Sequence, residues 1–238
     1  MAPVEFAAAI LAVALGSIVQ AASGVGAGFI MAPLLALIDL SLVPGPLIFG
    51  SLSLSGIMTY RERGAIDVEH VPIILGGLLP GSVLGAWLLT SIPVDALGIV
   101  FGSVILAAIA ITVSGFDLPL SKPTAVACGA LSGVMGTSSG MGAPPMALLY
   151  QRRGGPQVRS TLALLYTASA ILMVLVLIAF RRFTLHDAVA GLLLVPGFLI
   201  GYLAANRFTP RLDGRGARIA VLGVSGAAAI VLVLRSLV

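Results

Sequence analysis

Long apolar runs separated by short polar connections set the pattern of this chain, and the run lengths predict its elements. Six runs, roughly Gly45–Tyr60, Val71–Thr90, Val94–Gly115, Thr161–Phe180, Ala188–Asn206 and Ile219–Leu234, approach or reach the ~17–25 residues that carry a helix across a bilayer core. Two more, Val4–Ile38 and Pro123–Tyr150, are too long for one span. A glycine-rich stretch splits each of them. The first reads Gln20-Ala-Ala-Ser-Gly-Val-Gly-Ala-Gly28 and the second Gly136-Thr-Ser-Ser-Gly-Met-Gly-Ala-Pro-Pro145. Each split predicts two helical arms, which either cross on short helices or form a re-entrant hairpin.

A break of this kind carries information because lipid offers no partner to a free backbone N–H or C=O. Irregular backbone at membrane depth persists only inside protein or beside a cavity. Two breaks in corresponding positions of two halves point to a transporter's binding site. The second arm of each hairpin starts at the break, so its first N–H groups lack partners within the helix. With the positive end of the helix dipole they form an anion site. Gly24, Gly26 and Gly28, and in the other half Gly140 and Gly142, let a ligand approach the backbone. Ser23, Thr137, Ser138 and Ser139 add hydroxyls. Pro144 and Pro145 suit the first turn of a helix. The competing reading is that the glycines only let helices pack, which does not by itself call for hydroxyls at both breaks.

Counting arms, each half holds five segments, so the second half starts on the opposite side and the halves form inverted copies. The charges agree with this. With the N-terminus outside, the inside loops hold Arg61, Arg63, Lys122, Arg152, Arg153, Arg159, Arg207, Arg211, Arg215 and Arg218, and the outside holds only Arg181, Arg182 and Arg235. That is a positive-inside bias. The halves also share residues. Gly77, Gly81 and Gly85 recur as Gly197, Gly201 and Ala205 at a shift of 120, and Arg61 recurs as Arg181. Ser23-Gly24-x-Gly26 falls on Ser139-Gly140-x-Gly142 at a shift of 116. Small residues every fourth position let backbones approach, so the span motif reads as packing. The expected fold is an all-α integral membrane protein of two inverted-topology repeats, 1–115 and 116–238. It has about eight transmembrane helices, or six plus two broken hairpins.

Composition sharpens the class. The 238 residues are 59% hydrophobic and 9% charged, with mean hydropathy +1.14, against about 25% charged in soluble domains. A net charge of +4 spread over short loops is no nucleic-acid footprint. Cys128 is the sole cysteine, so no intramolecular disulfide forms. The N-terminal Met-Ala-Pro-Val-Glu lacks the basic residues of a secretory signal and is read as mature protein.

Several chemistries are disfavoured by what the spans lack. No Asp, Glu, Lys, Arg or His sits mid-span, which argues against a carboxylate proton relay and a divalent-cation path. No metal or cofactor is expected. His70 and His186 each precede a long span and read better as interfacial residues than as gates. A serine nucleophile at Gly136–Gly140 has no base within reach, and no Walker-type loop is present. No catalytic residue is assigned. A neutral anion site fits best, completed by Ser51, Ser55 and Thr59 on one helix face, with Thr167 and Ser169 as rough counterparts. Back-bonding of those hydroxyls to their own helix carbonyls is the competing reading.

The motif Ser23-Gly-x-Gly-x-Gly28 with its apolar run to Pro33, repeated as Ser138-Ser-Gly-Met-Gly-Ala-Pro-Pro-Met-Ala-Leu-Leu-Tyr150, resembles the sulfite exporter TauE/SafE family. So do the basic loop at Arg61–Gly64, the Gly77/Gly81/Gly85 span and their second-half mates. The resemblance covers essentially the whole chain. It implies a bacterial inner-membrane permease for sulfite, sulfonates, sulfoacetate or related organic anions. The expected partners are a small anionic substrate and the lipid bilayer. The glycine stripes leave a homodimer open. A carboxylate permease and a non-transporting membrane scaffold are the alternatives.

Overall fold

The computed structural model describes residues 3–24, 27–93, 96–115, 118–212 and 215–237; the side chains of 206–218 are not among those described. Among the described residues every regular element is helical. The helices are α1 (Pro3–Ser23), α2 (Ala27–Ile38), α3 (Gly45–Arg61), α4 (Val71–Ser91), α5 (Leu97–Val113), α6 (Lys122–Ser139), α7 (Ala143–Leu149), α8 (Gly155–Ala179), α9 (Leu185–Leu212) and α10 (Arg215–Arg235), with short 3-10 turns at Leu40–Leu42 and Arg63–Ala65. Local sequence accounts for several boundaries. Ser121 caps α6 by accepting from the Thr124 N–H, and the Thr124 hydroxyl accepts from the Ser121 N–H in return. Gly154 precedes α8 with Pro156 in its first turn, which is why that helix starts at Gly155 and not at the expected Thr161.

Both long apolar runs are broken where the glycines predict, but into unequal arms. The first arms have 21 and 18 residues, about 31 and 27 Å of helix, which matches a hydrocarbon core of about 30 Å. The second arms have 12 and 7 residues, about 18 and 10 Å, too short to cross. Among the described residues four helices are long and apolar enough to cross on their own: α1, α4, α8 and the Leu185–Ala205 part of α9. The outer surface is apolar, with Trp87, Leu175, Leu192 and Leu203 all more than half exposed. Ser17, Ser55, Ser82, Ser132, Thr137 and Ser169 are turned inward and buried. Water would penalise that outside and a bilayer would not.

Two helix seams hold the interior. α4 lies along α6 and α1 lies along α9. In the first seam a Cβ on Gly77, Gly81 or Gly85 would strike the carbonyl oxygens of Val126, Ala130 and Val134. From the other side, Gly129 and Gly133 face the carbonyls of Ile74 and Leu78. In the second seam Gly197 and Gly201 face the carbonyls of Ile10 and Ala14. Apolar burial gives little drive between helices in lipid, so close backbone approach supplies the adhesion. Around the seams, α3 packs on α8 and α9, α5 on α10, α10 on α2, and α7 on α5.

Gly76 offers a control on the same helix, since nothing lies within 4 Å of its added Cβ. Gly81→Ala is expected to lower stability by about 1–3 kcal/mol, the usual cost of overpacking, and Gly76→Ala to leave it unchanged or raise it by up to about 1 kcal/mol. Thermal unfolding of the two detergent-purified variants checks this; equal melting temperatures would refute the seam.

Candidate functional site

The two breaks share one backbone geometry. Gly24 ends α1 at φ +77° and Gly140 ends α6 at φ +74°. Each donates its N–H to the carbonyl four residues back, Gln20 and Gly136, at 2.7 Å. This is the left-handed helix stop that an L side chain adopts only at a cost of about 1–2 kcal/mol. The stops sit at different levels. Gly24 lies against Arg159, near the start of α8, and Gly140 against Leu47 and Val43, where α3 begins. Between them the breaks meet: a Cβ on Gly28 would lie 3.4 Å from Met141 Cγ and 3.8 Å from the Gly140 oxygen.

A cavity of about 90 Å³ opens where they meet; one water needs roughly 10–15 Å³ on the same measure. Gly28, Gly140 and Gly142 form its backbone wall, Ser51 and Ser55 reach it from α3, and Tyr166 and Ser169 from α8. Met31, Met146 and Met173 supply an apolar side, and Gln20 closes the α1 edge. No charged side chain lines it among the described residues.

The hydroxyls divide into two kinds. Ser51 donates to the Ile48 carbonyl at 2.7 Å and Ser55 to the Ser51 carbonyl at 3.0 Å. Their protons are committed within α3, leaving lone pairs for the cavity. The Ser169 Oγ and Tyr166 Oη are buried without a hydrogen-bond partner. An unpaired buried hydroxyl is costly, and here both sit in residues that line a cavity. Deeper along α3, Thr59 and Thr167 bond to each other at 2.9 Å across the α3–α8 contact.

Of the expected site residues, Gly28, Ser51, Ser55, Gly140 and Gly142 line the cavity. Ser23, Gly24, Thr137, Ser138 and Ser139 do not, and Gly26 lies outside the described residues. Ser23 bonds to the Val19 carbonyl, Ser138 to Val134 and Ser139 to Met135. Helix geometry turns these three back along their own turns. Thr137 is buried against Gly85 of α4, away from the break. Tyr166 is the residue sequence reasoning missed. It interrupts an apolar span, and that was the one available signal.

A polar cluster joins the connections at one end of the bundle. The Tyr150 hydroxyl donates to Asp67 Oδ2 at 3.1 Å, and the Asp67 N–H donates to Thr161 Oγ1 at 3.0 Å. His70 Nδ1 stands 3.0 Å from the same carboxylate oxygen. Beside it Arg159 pairs with Glu62 at 3.3 Å, and Arg61 donates to the Tyr202 hydroxyl at 3.0 Å. His70 thus has a partner, where the sequence suggested an idle interfacial residue. Burial pushes the Asp67 carboxyl up, but hydrogen bonds from His70 and Tyr150 outweigh it and hold it below the usual carboxylate range.

The model of a family described as Sulfite exporter TauE/SafE matches residues 8–232. No curated protein and no solved structure matches the chain.

Two variants separate the roles of the glycines. Gly140→Ala places a Cβ at φ +74°, 2.9 Å from Leu47 Cδ2, and is expected to destabilise the fold by about 1–3 kcal/mol. Gly28→Ala meets only ordinary contacts at 3.4 Å, so its melting temperature is expected to stay near that of the parent. Melting curves of the two detergent-purified variants distinguish these outcomes.

Proposed function

We propose, since the chain belongs to the sulfite exporter TauE/SafE family of membrane transporters, that it is a secondary transporter of a small sulfur oxyanion or related organic anion. The cavity at the meeting of the breaks is its substrate site. One observation carries this reading: both helix breaks and the hydroxyl faces of α3 and α8 converge on a single cavity free of charged side chains among the described residues. Neutral donors and the N-terminus of α2 favour an anion without the strong charge pairing that would hinder its release.

The packing supports two inverted repeats, 1–115 and 116–238. Matching α1 to α6, α2 to α7 and so on to α10, the main helix contacts across the halves have mates. The α1–α9 seam answers the α4–α6 seam, and α2–α10 answers α5–α7. α3 meets its own counterpart α8, and α5 meets α10. Rocking of one seam against the other would expose the site to either side in turn. The end bearing Arg61, Arg63, Arg152, Arg153 and Arg159 faces the cytoplasm of a bacterium by the positive-inside rule, with the protein in the inner membrane. The Asp67–Tyr150–Thr161 cluster then latches the inner ends of the two repeats.

The transport reading is tested with purified protein in liposomes, measuring influx of labelled sulfite and a small sulfonate against unlabelled acetate as competitor. Saturable flux of the sulfur anions is expected. Strong competition by acetate would favour a carboxylate permease, and no saturable flux from folded protein would favour the scaffold reading. For the latch, Tyr150→Phe removes a hydrogen bond to a charged group worth about 1.5–3 kcal/mol; turnover is expected to change and KM to stay constant. The Asp67 contribution is present above the ordinary carboxylate range and is lost as pH falls through its lowered folded value. Asp67→Asn is therefore expected to flatten the acid limb of a plot of melting temperature against pH.

A further inference from the structure

The chemistry of the cavity lining bears on which charge form of an oxyanion can enter. Tyr166 is the only titratable residue that lines it among those described. The elements packed on α8 are α3, α4, α6, α7 and the Arg63–Ala65 turn. Their titratable groups are Tyr60 and Arg61 on α3, Arg63 on the turn, and Lys122 and Cys128 on α6, with Tyr150 just beyond α7; none of these lines the cavity. On α8 itself, Arg159 pairs with Glu62 at the end of the bundle. An ion that enters therefore exchanges its hydration for neutral groups alone: hydroxyls, the Gln20 amide and backbone. The cost of that exchange grows with the square of the charge, so a dianion forfeits about four times as much as a monoanion.

The lining offers donors for one charge and acceptors beside them. Tyr166 and Ser169, at i and i+3, share a face of α8, and both hydroxyl oxygens are buried without a partner. Ser169 is only 5% exposed. They are the two side-chain hydroxyls of the cavity whose protons are uncommitted, since Ser51 and Ser55 donate within α3. The lone pairs of those serines suit the protonated oxygen of a hydrogen-bearing oxyanion. The thioethers of Met31, Met146 and Met173 suit a methyl or other apolar substituent. Neither arrangement suits an ion that presents charged acceptors on every side.

We infer that the cavity takes the singly charged form of a small oxyanion, bound by the hydroxyls of Tyr166 and Ser169, and rejects doubly charged forms. This rests on the transport reading given above. The substrate's own proton then crosses with it, and no side chain of the site has to carry one.

The test uses the full chain in liposomes with the membrane potential clamped and internal and external pH equal. Sulfite changes from monoanion to dianion near neutral pH, methanesulfonate stays a monoanion, and sulfate stays a dianion. The KM for total sulfite is expected to rise with pH in inverse proportion to the monoanion fraction. Methanesulfonate flux is expected to stay level, and sulfate not to compete. Tyr166→Phe and Ser169→Ala, each checked for monodispersity and melting temperature, are expected to raise KM for both substrates roughly tenfold, as loss of a hydrogen bond to a charged group implies. The pH profile for sulfite should keep its shape in both. A pH-independent KM for total sulfite, competition by sulfate, or a parallel fall in methanesulfonate flux would overturn the charge selection. An unchanged KM in both variants would overturn the role of the two hydroxyls. Absence of saturable flux for either substrate would overturn the transport reading and this inference together.

Discussion

Everything in this molecule depends on ending two helices inside an apolar bundle without stranding their backbone. Lipid will not satisfy a loose carbonyl, so each stop must close on itself. Gly24 and Gly140 do this with the same left-handed turn and the same 2.7 Å bond. A side chain at either position would meet both an unfavourable φ and a neighbour, Arg159 in one case and Leu47 in the other. Once the chain can stop there, the short second arms start within the bundle, and their first turns border the cavity. The seams of α4 on α6 and α1 on α9 then hold the long first arms in place.

Much of this was legible along the chain, because the features concerned are local. A run too long for one span, glycines inside it and hydroxyls beside them predict a break, and both breaks occur where expected. The glycine ladder of Gly77, Gly81 and Gly85 likewise reads directly as a close approach, and Val126, Ala130 and Val134 meet it. The boundaries were less legible: α8 begins at Gly155 on the strength of Gly154 and Pro156, before its apolar run is established.

The orientation of side chains within the site was not legible, for a physical reason. In a helix apolar all round, periodicity does not tell which face meets lipid and which meets a cavity, because packing against the rest of the bundle decides it. Ser138 and Ser139 looked like donors at the break and instead close onto Val134 and Met135. Tyr166, which no local pattern along the chain marks out as facing inward, lines the cavity. Asp67 and Tyr150 are 83 positions apart, and no local pattern joins them.

The pairing of the seams has a consequence for how such a chain can be made. Neither seam lies within one proposed half: α4 finds α6 across the 114–121 connection, and α1 must wait for α9, nearly two hundred residues later. A ribosome that has released only the first five helices has produced the glycine-lined face of α4 and the face of α1 that receives Gly197 and Gly201, with nothing to close either. Those surfaces stay in lipid until the second set of helices arrives. Cut at that connection, the chain would yield two fragments that each lack a complete seam and are complementary to one another. Assembly is thus a late event in synthesis, and two separately encoded pieces would be able to complete it only by finding each other in the membrane.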